Sequence, residues 1–310
     1  MDGKKIVITG GAGFIGSNLV KRLLEKNQVI VIDDLSTGNM DNIQDVITSK
    51  KITFIKGSVT DLDLLQKTFK NVDYIFHEAA IPSVPRSVKD PYTSNYVNAN
   101  GTLNTLIAAK DNQAKKVIYA SSSSVYGDTP TLPKKEDMKP NPLSPYAVSK
   151  LTGEYYCEVF KSIYNLPTVS LRYFNVYGPK QDPLSEYAAV IPRFITNILN
   201  DKSPIIYGDG SQTRDFTFVD DVVTVNILAA ESPSTGIFNV AGGKRITINE
   251  LAHLIIILCK KNIKVDYVDP RDGDIKHSLA DITRAKEKLN YEPKFNITEG
   301  IKETIRWFQK

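Results

Sequence analysis

The chain has 310 residues, 41% of them apolar and 24% charged, enough to bury a sizeable core and to divide into two subdomains. Lys and Arg number 39 against 35 Asp and Glu, a formal charge of +4 with no long block of like charges. That balance argues against nucleic acid as the main partner and leaves room for a local basic pocket that takes an anionic small molecule.

In chain order, a strand-like run (Lys4, Lys5, Ile6, Val7, Ile8, Thr9) comes first. It lies so close to Met1 that no signal peptide fits before it, and a cytoplasmic protein is expected. Short β-branched runs then alternate with stretches of helical period. Strands are expected at residues 5–9, 29–33, 52–56, 74–77, 116–120 and 168–172, and helices at about 14–26, 61–70, 91–112 and 145–164. Such alternation builds a doubly wound α/β fold, a parallel sheet with helices on both faces, because each right-handed crossover must hold a helix. After Asn175 the chain is punctuated by Gly178-Pro179, Asp182-Pro183, Gly208-Asp209-Gly210, Gly242-Gly243 and Asp269-Pro270. Loops of this density suit a smaller α/β substrate domain. The expected division is a nucleotide-binding domain over 1–175, with 216–241 returning to it, and a substrate domain over 176–310. The apolar run from Leu254 to Cys259 is far short of the roughly 18 residues of a membrane span, so no membrane partner is expected. Cys157 and Cys259 lack zinc or disulfide spacing, His253 and His277 have no partner at metal spacing, and no metal is expected.

Gly10, Gly13 and Gly16 follow the first strand directly and open an amphipathic helix. A turn of this kind lets backbone N–H groups and a helix N-terminus face a pyrophosphate with no Cβ in the way. The next strand ends at Asp33, where a carboxylate can accept from both ribose hydroxyls and repel a 2′-phosphate, which favours NAD over NADP. Asp34 either shares this task or is a solvated strand end. A second constellation combines the serines 121 to 124 after the fifth strand with Tyr146 and Lys150, four apart on one helix face. An ammonium there can lower a phenol's pKa towards neutrality, with help from a positively charged nicotinamide, and so make a general acid and base for an alcohol. The spacing alone carries little in a chain with 15 tyrosines; its position on the ligand-binding edge of a doubly wound sheet is what gives it meaning.

The glycine turn, Asp33, the Ser122, Tyr146 and Lys150 set, and the phrase from Arg172 to Pro179 together resemble the extended short-chain dehydrogenase/reductase family, Rossmann-type enzymes. Within that family the likeness, from about residue 4 to 308, is to the nucleotide-sugar 4-epimerases. The resemblance implies NAD held by Gly10, Gly13, Phe14, Ile15, Gly16, Asp33, Asp34, Ser36, Thr37, Gly38, Ser58, Val59, Ala79, Ala80, Tyr146, Lys150 and Tyr173. It implies Ser122 on the reacting hydroxyl, Tyr146 as base and Lys150 on the nicotinamide ribose. A UDP-sugar would meet Ser83, Ser122, Ser123, Tyr146, Asn175, Ala189, Val190, Arg214, Arg271, Asp274 and Ser278. Dehydrating and decarboxylating relatives carry acids just after the serine, whereas this chain has Ser123, Ser124 and Val125. In similar epimerases a bulky residue at the position of Ser278 excludes an N-acetyl group, so this chain is expected to take UDP-N-acetylglucosamine and also UDP-glucose.

Two departures stand out. Ser58 replaces the usual adenine-binding aspartate, and Pro82 replaces a lysine that some relatives place by the substrate. His77, Asn98, Asn100, Trp307 and Phe308 read as packing or fastening residues. A homodimer through helices 91–112 and 145–164 is what the resemblance implies. The rival readings are a UDP-glucuronate 4-epimerase, for which Arg86 and Arg193 are the cations to examine, and a non-catalytic NAD-binding sensor.

Overall fold

The computed structural model describes residues 1–183, 189–270 and 275–309. Six strands come first: β1 (Lys5–Thr9), β2 (Gln28–Asp33), β3 (Ile52–Lys56), β4 (Tyr74–His77), β5 (Lys116–Ser122) and β6 (Thr168–Tyr173). With the later strand Gly236–Val240 they form one seven-stranded sheet, ordered β3-β2-β1-β4-β5-β6-(236–240). Every pairing in it is parallel. The order reverses between β1 and β4, and ligands in open sheets of this kind bind at that switch point, beyond the strands' C-terminal ends. The strands are Val- and Ile-rich because both faces are covered; Ile6, Val7, Ile8, Ile75 and Ile118 are fully buried.

The intervening helices are α1 (Phe14–Leu24), α2 (Leu62–Thr68), α3 (Val84–Lys89), α4 (Pro91–Asn95), α5 (Gly101–Asp111) and α6 (Pro145–Tyr164). One face of the sheet packs with α1 through Leu19, Val20 and Leu23, joined by Val222 and Ala229 of the helix Val219–Glu231. The other packs with α2, α5 and α6 through Leu65, Leu106 and Phe160. Ala285 and Leu289 of the later helix Thr283–Leu289 are buried in the first of these cores. A separate core lies under the later helices Val190–Leu199, Ile248–Leu258 and Ile297–Phe308, through Phe194, Leu251 and Ile301.

Two details depart from the sequence reading. The expected helix 91–112 contains a π turn over Tyr96–Asn100, and Asn98 inside it anchors a loop: its Oδ1 accepts from Ile81 N at 2.7 Å and its Nδ2 donates to Ser149 Oγ at 3.0 Å. Helix α3 was not expected; Ser83 caps it by accepting from Arg86 N, with Pro85 in its first turn. Asp215 ties together segments distant in sequence: it is fully buried and accepts from Ala280 N at 3.2 Å, while Asn175 Nδ2 donates to its backbone oxygen at 2.8 Å.

Candidate active site

The glycine turn after β1 is closed so tightly that side chains cannot enter it. Gly10 has φ +70°, and a Cβ there would lie 2.7 Å from Ala79 N. A Cβ on Gly16 would lie 2.1 Å from Gly10 O, which is why helix α1 can start this close to the strand. Gly13 is the N-cap of α1 and offers no side chain to its first-turn N–H groups. These donors and the helix dipole suit a phosphate. At the tip of β2, Asp33 accepts from Ala12 N and Leu35 N, both at 2.9 Å. Burial raises its carboxyl above the ordinary value, while those two N–H donors work the other way and the charge of Asp34 adds to the rise. Gly38 is small of necessity, because a Cβ on it would sit 2.7 Å from Asp33 Oδ1.

A cavity of about 990 Å³ opens over this turn. Gly10, Gly13, Phe14, Ile15, Gly16, Asp33, Asp34, Ser36, Thr37, Ser58, Val59, Ala79 and Ala80 line it, as do Ser83 and Ala189 from the expected substrate set. The cradle suits a dinucleotide: glycines where a Cβ would intrude, uncapped amides for a pyrophosphate, and a carboxylate in the cavity wall at the end of the next strand. Ser58 sits at the expected adenine end, its Oγ engaged by Thr60 Oγ1 at 2.9 Å. Sequence reading missed several further wall residues. Trp307 was expected only to pack, yet it lines the cavity as well as lying edge-on to Phe308. Lys180 also lines it, with Nζ donating to Asn42 O, while Asn18 Nδ2 reaches Pro179 O at 3.3 Å, so the 178–183 segment straps over α1. Arg86 is a third.

Ser122 ends β5, and Tyr146 and Lys150 leave the same sheet edge in the first turns of α6, whose N-cap Ser144 and Pro145 fix its start. Ser87 of α3 accepts from Tyr146 N at 3.0 Å, which anchors that start from a second side. Gly153 lets α6 approach β5, since a Cβ there would lie 2.3 Å from Tyr119 Oη. Lys150 Nζ can then donate to Ala120 O at 2.8 Å, lying 5.9 Å from the Tyr146 ring centroid. Ser124 Oγ donates to Ser122 Oγ at 2.9 Å, and Ser122 is hydrogen-bonded to the Tyr146 phenol. Burial holds that phenol above its ordinary value, the Ser122 bond opposes the rise and Glu78 adds to it. The lowering expected from Lys150 is therefore not achieved by the chain alone. Burial brings Lys150 itself down to about 8, with Glu78 acting against the fall.

Behind the site, Glu154 and Arg172 form a buried bidentate pair at 2.8 and 2.7 Å, with Ser121 Oγ donating to Glu154 and Arg172 lying 4.6 Å from the Tyr126 ring centroid. Removing one partner of such a pair costs about 3–5 kcal/mol, so the pair fixes the β5 and β6 ends that bear the site. His77 is held by Thr9 at 2.8 Å and Thr102 at 3.0 Å, and burial, then Lys150, brings it down to about 3, leaving a neutral ring in a fastening role. Of the expected cofactor set, Gly38, Tyr146, Lys150 and Tyr173 are not among the residues that line the cavity; the Tyr173 hydroxyl donates to Glu78 Oε1 at 2.9 Å.

The remaining expected substrate residues lie apart from the described cavity wall. Asn175 holds the Asp215 backbone, Arg214 Nη1 donates to Thr213 O at 3.0 Å, and Ser278 N donates to the same oxygen at 3.0 Å, so Arg214 and Ser278 are neighbours. Val190 starts the helix Val190–Leu199, which has no side-chain cap. Ser123 opens the 3-10 turn after Ser122. Arg193, named for an acidic sugar, lies 5.8 Å from the Tyr207 ring centroid. Arg271 and Asp274 lie outside the described residues. Among the described residues no three His, Cys, Asp or Glu side chains gather as a metal site, and no helix is long and apolar enough to cross a membrane.

A profile described as the NAD dependent epimerase/dehydratase family matches residues 6–241. The chain belongs to that family. Its cofactor is accordingly NAD, in agreement with the cradle. A UDP-glucose 4-epimerase of Mycolicibacterium smegmatis is 41% identical over 310 residues, covering 98% of both chains. The solved UDP-N-acetylglucosamine 4-epimerase of Methanobrevibacter ruminantium, in complex with UDP-N-acetylmuramic acid, superposes with a TM-score of 0.97 at 48% identity, covering 100% of this chain and 99% of that one. The UDP-glucose 4-epimerase of Thermotoga maritima, solved with UDP-glucose, gives 0.94 at 38% identity, with 98% of each chain covered.

Proposed function

We propose that the chain is an NAD-dependent 4-epimerase of UDP-hexoses, interconverting UDP-N-acetylglucosamine with UDP-N-acetylgalactosamine and also UDP-glucose with UDP-galactose. The observation that carries this reading is the cluster of Ser122, Tyr146 and Lys150 at the cofactor edge, followed by Ser123, Ser124 and Val125 rather than by acids. Such a set handles one alcohol and has no second acid–base pair for elimination.

Tyr146 as phenolate takes the proton of the 4-hydroxyl, and returns it after the 4-keto sugar has turned over. Ser122, its oxygen held by Ser124, hydrogen-bonds the reacting oxygen. Held by the cradle, NAD would supply the acceptor and donor of the carbon-4 hydride and a positive ring charge beside the phenol. Lys150, tied to Ala120 O, fixes the nicotinamide ribose and keeps a cation near Tyr146. Because proton and hydride both return, the turnover needs no proton exit and no second redox partner.

Rotation of the ketose without escape requires a firm grip on the nucleotide and a loose one on the sugar. Arg214 and Arg271, always charged and able to bind bidentately, take the pyrophosphate, with Asn175, Ala189, Val190 and Asp274 on the uridine side. Ser83 and Ser278 border the sugar, and their small size leaves room for an N-acetyl group. Residues 1–175 with 216–241 serve the cofactor, and 176–310 otherwise serve the substrate. The reading includes a cytoplasmic homodimer, for which the exposed apolar stripe on α6 is the support. A UDP-glucuronate 4-epimerase is the second reading, because Arg86 supplies a cation in the cavity wall.

The test is proton NMR of UDP-N-acetylglucosamine, UDP-glucose and UDP-glucuronate, each with protein, with and without added NAD. Inversion at carbon 4 of the N-acetylated sugar is expected. Conversion of glucuronate alone would replace the substrate, and no conversion of any of the three would overturn the reading.

A further inference from the structure

Glu78 was not among the residues the sequence singled out. It lies one position beyond β4, with its N–H donating to Thr9 O at 3.2 Å, and it lines the cofactor cavity. The β4–β5 ladder pairs His77 with Tyr119, so Glu78 emerges from the sheet edge beside Ala120, whose carbonyl holds the Lys150 ammonium. Its carboxylate is oriented from the other side. Asn226 Nδ2 donates to Tyr173 Oη and to Val222 O, both at 2.8 Å, and of the two acceptors within reach of the Tyr173 hydroxyl, Glu78 Oε1 at 2.9 Å is closer than Asn226 Oδ1 at 3.1 Å. A chain of donors ending on a carboxylate favours its ionised form.

Arg86, Lys89 and Lys180 line the same cavity, but among the described residues Lys150 is the cation whose charge acts on Glu78. His77 on β4 is neutral, and Tyr119 on β5, Tyr146 on α6 and Tyr173 on β6 have phenols that burial raises above their ordinary value. Glu154 is consumed by Arg172. Lys150 thus acts on Glu78 as a cation, and an oxidised nicotinamide ring bound here would bring a second positive charge beside it. Two uncompensated positive charges there would repel each other and drive the proton off Lys150.

We propose that Glu78 is the counter-ion of the oxidised cofactor: its carboxylate offsets the charges of Lys150 and the nicotinamide ring and biases the bound couple towards NAD over NADH. The inference rests on the NAD-dependent reading above. This bias would keep the resting cofactor oxidised and favour return of hydride to the ketose over its retention as NADH. Burial pushes the Glu78 carboxyl up to about 7, with the Tyr173 bond and Lys150 opposing, so the bias should be present above neutrality and fade below it.

The test measures dissociation constants of NAD and of NADH, by calorimetry, on the full chain freed of nucleotide. Wild type, Glu78→Gln and Glu78→Asp are compared near pH 8 and near pH 6. Near pH 8, Glu78→Gln should weaken NAD about tenfold while NADH changes less than about twofold, and Glu78→Asp should retain most of the discrimination. The wild-type preference for NAD should shrink near pH 6, a readout that needs no variant to fold. Equal weakening of both nucleotides, or a wild-type ratio that does not move with pH, overturns the proposal. Failure of wild type to bind either nucleotide would overturn the cofactor reading itself, and is distinguishable on that ground.

Discussion

Tyr146 and Asp215 are both held by backbone and side-chain bonds, and each makes a different measurement informative. The Tyr146 ring is fixed by Ser87 at its backbone and by Ser122 at its hydroxyl, so Tyr146→Phe removes the proton carrier and little of the packing. Turnover should fall about 10²–10⁴-fold with KM for the UDP-sugar and melting temperature nearly unchanged, as read by coupled kinetics and calorimetry. A variant with near-native turnover would remove Tyr146 from the mechanism. Asp215 tests stability instead. Burial pushes its carboxyl up to about 7 from 3.8, against N–H donors from Ala280, Gly242, Gly243 and Lys244. A raised folded-state value means that its contribution to stability is fully present below 3.8 and is lost as pH rises through about 7. Wild type should therefore lose a few degrees more of melting temperature between about pH 5 and pH 8 than Asp215→Asn, which is neutral throughout. Parallel melting curves across that range would show that Asp215 is ionised at little cost.

At the scale of elements, the glycine turn and α1 form one unit. Gly16→Ala puts a methyl 2.1 Å from Gly10 O, so the turn or the helix must move. Overpacking of this kind costs about 1–3 kcal/mol, and NAD affinity should drop at least about tenfold when measured by calorimetry. Unchanged affinity would mean that this turn does not hold the cofactor. The same locality explains what could be read in advance. β1, the glycine turn, α1 and Asp33 are contiguous, so their chemistry is written in one stretch of sequence. The strands were legible because buried parallel strands are Val- and Ile-rich runs of about the right length. Helix α3 was not, because six residues are too few to show a period and its cap, Ser83, reads as a loop residue. The π turn was hidden for another reason: Asn98 is drawn to Ile81 and Ser149, partners distant in sequence. Glu78, Lys180 and Trp307 also escaped, since each reaches the cavity through tertiary placement and none belongs to a spaced motif. The substrate side was legible only by resemblance, because Asn175, Arg214 and Ser278 come together from three separate segments.

At the scale of the whole molecule, several of the exposed large apolar side chains among the described residues gather along one helix. Along α6, Val148, Tyr155, Val159 and Ile163 are all exposed, Ile163 at 65%, at spacings that place them on one helical stripe. Tyr92 and Tyr96 stack beside them at 6.2 Å between ring centroids, Tyr92 at 79% exposure. From Val148 to Ile163 the stripe runs about 23 Å along the helix, and an exposed contiguous apolar face of this kind marks an interaction surface. A second copy related by a two-fold axis can cover it with the same stripe, since an isologous contact needs only a self-complementary face. Tyr155→Glu combined with Ile163→Glu should convert a species of twice the chain mass into a monomer in sedimentation equilibrium. The melting temperature of the separated chain should change little beyond the loss of the interface, because both side chains face solvent within one chain. A wild-type monomer at micromolar concentration, or a doubly substituted chain that stays paired, would sink the dimer. Ser122, Tyr146 and Lys150 come from a single chain and lie on the side of α6 that meets β5, away from the stripe. Turnover per chain in the monomer should therefore remain within about threefold of the dimer's, the loss reflecting a less firmly braced α6 rather than a missing residue.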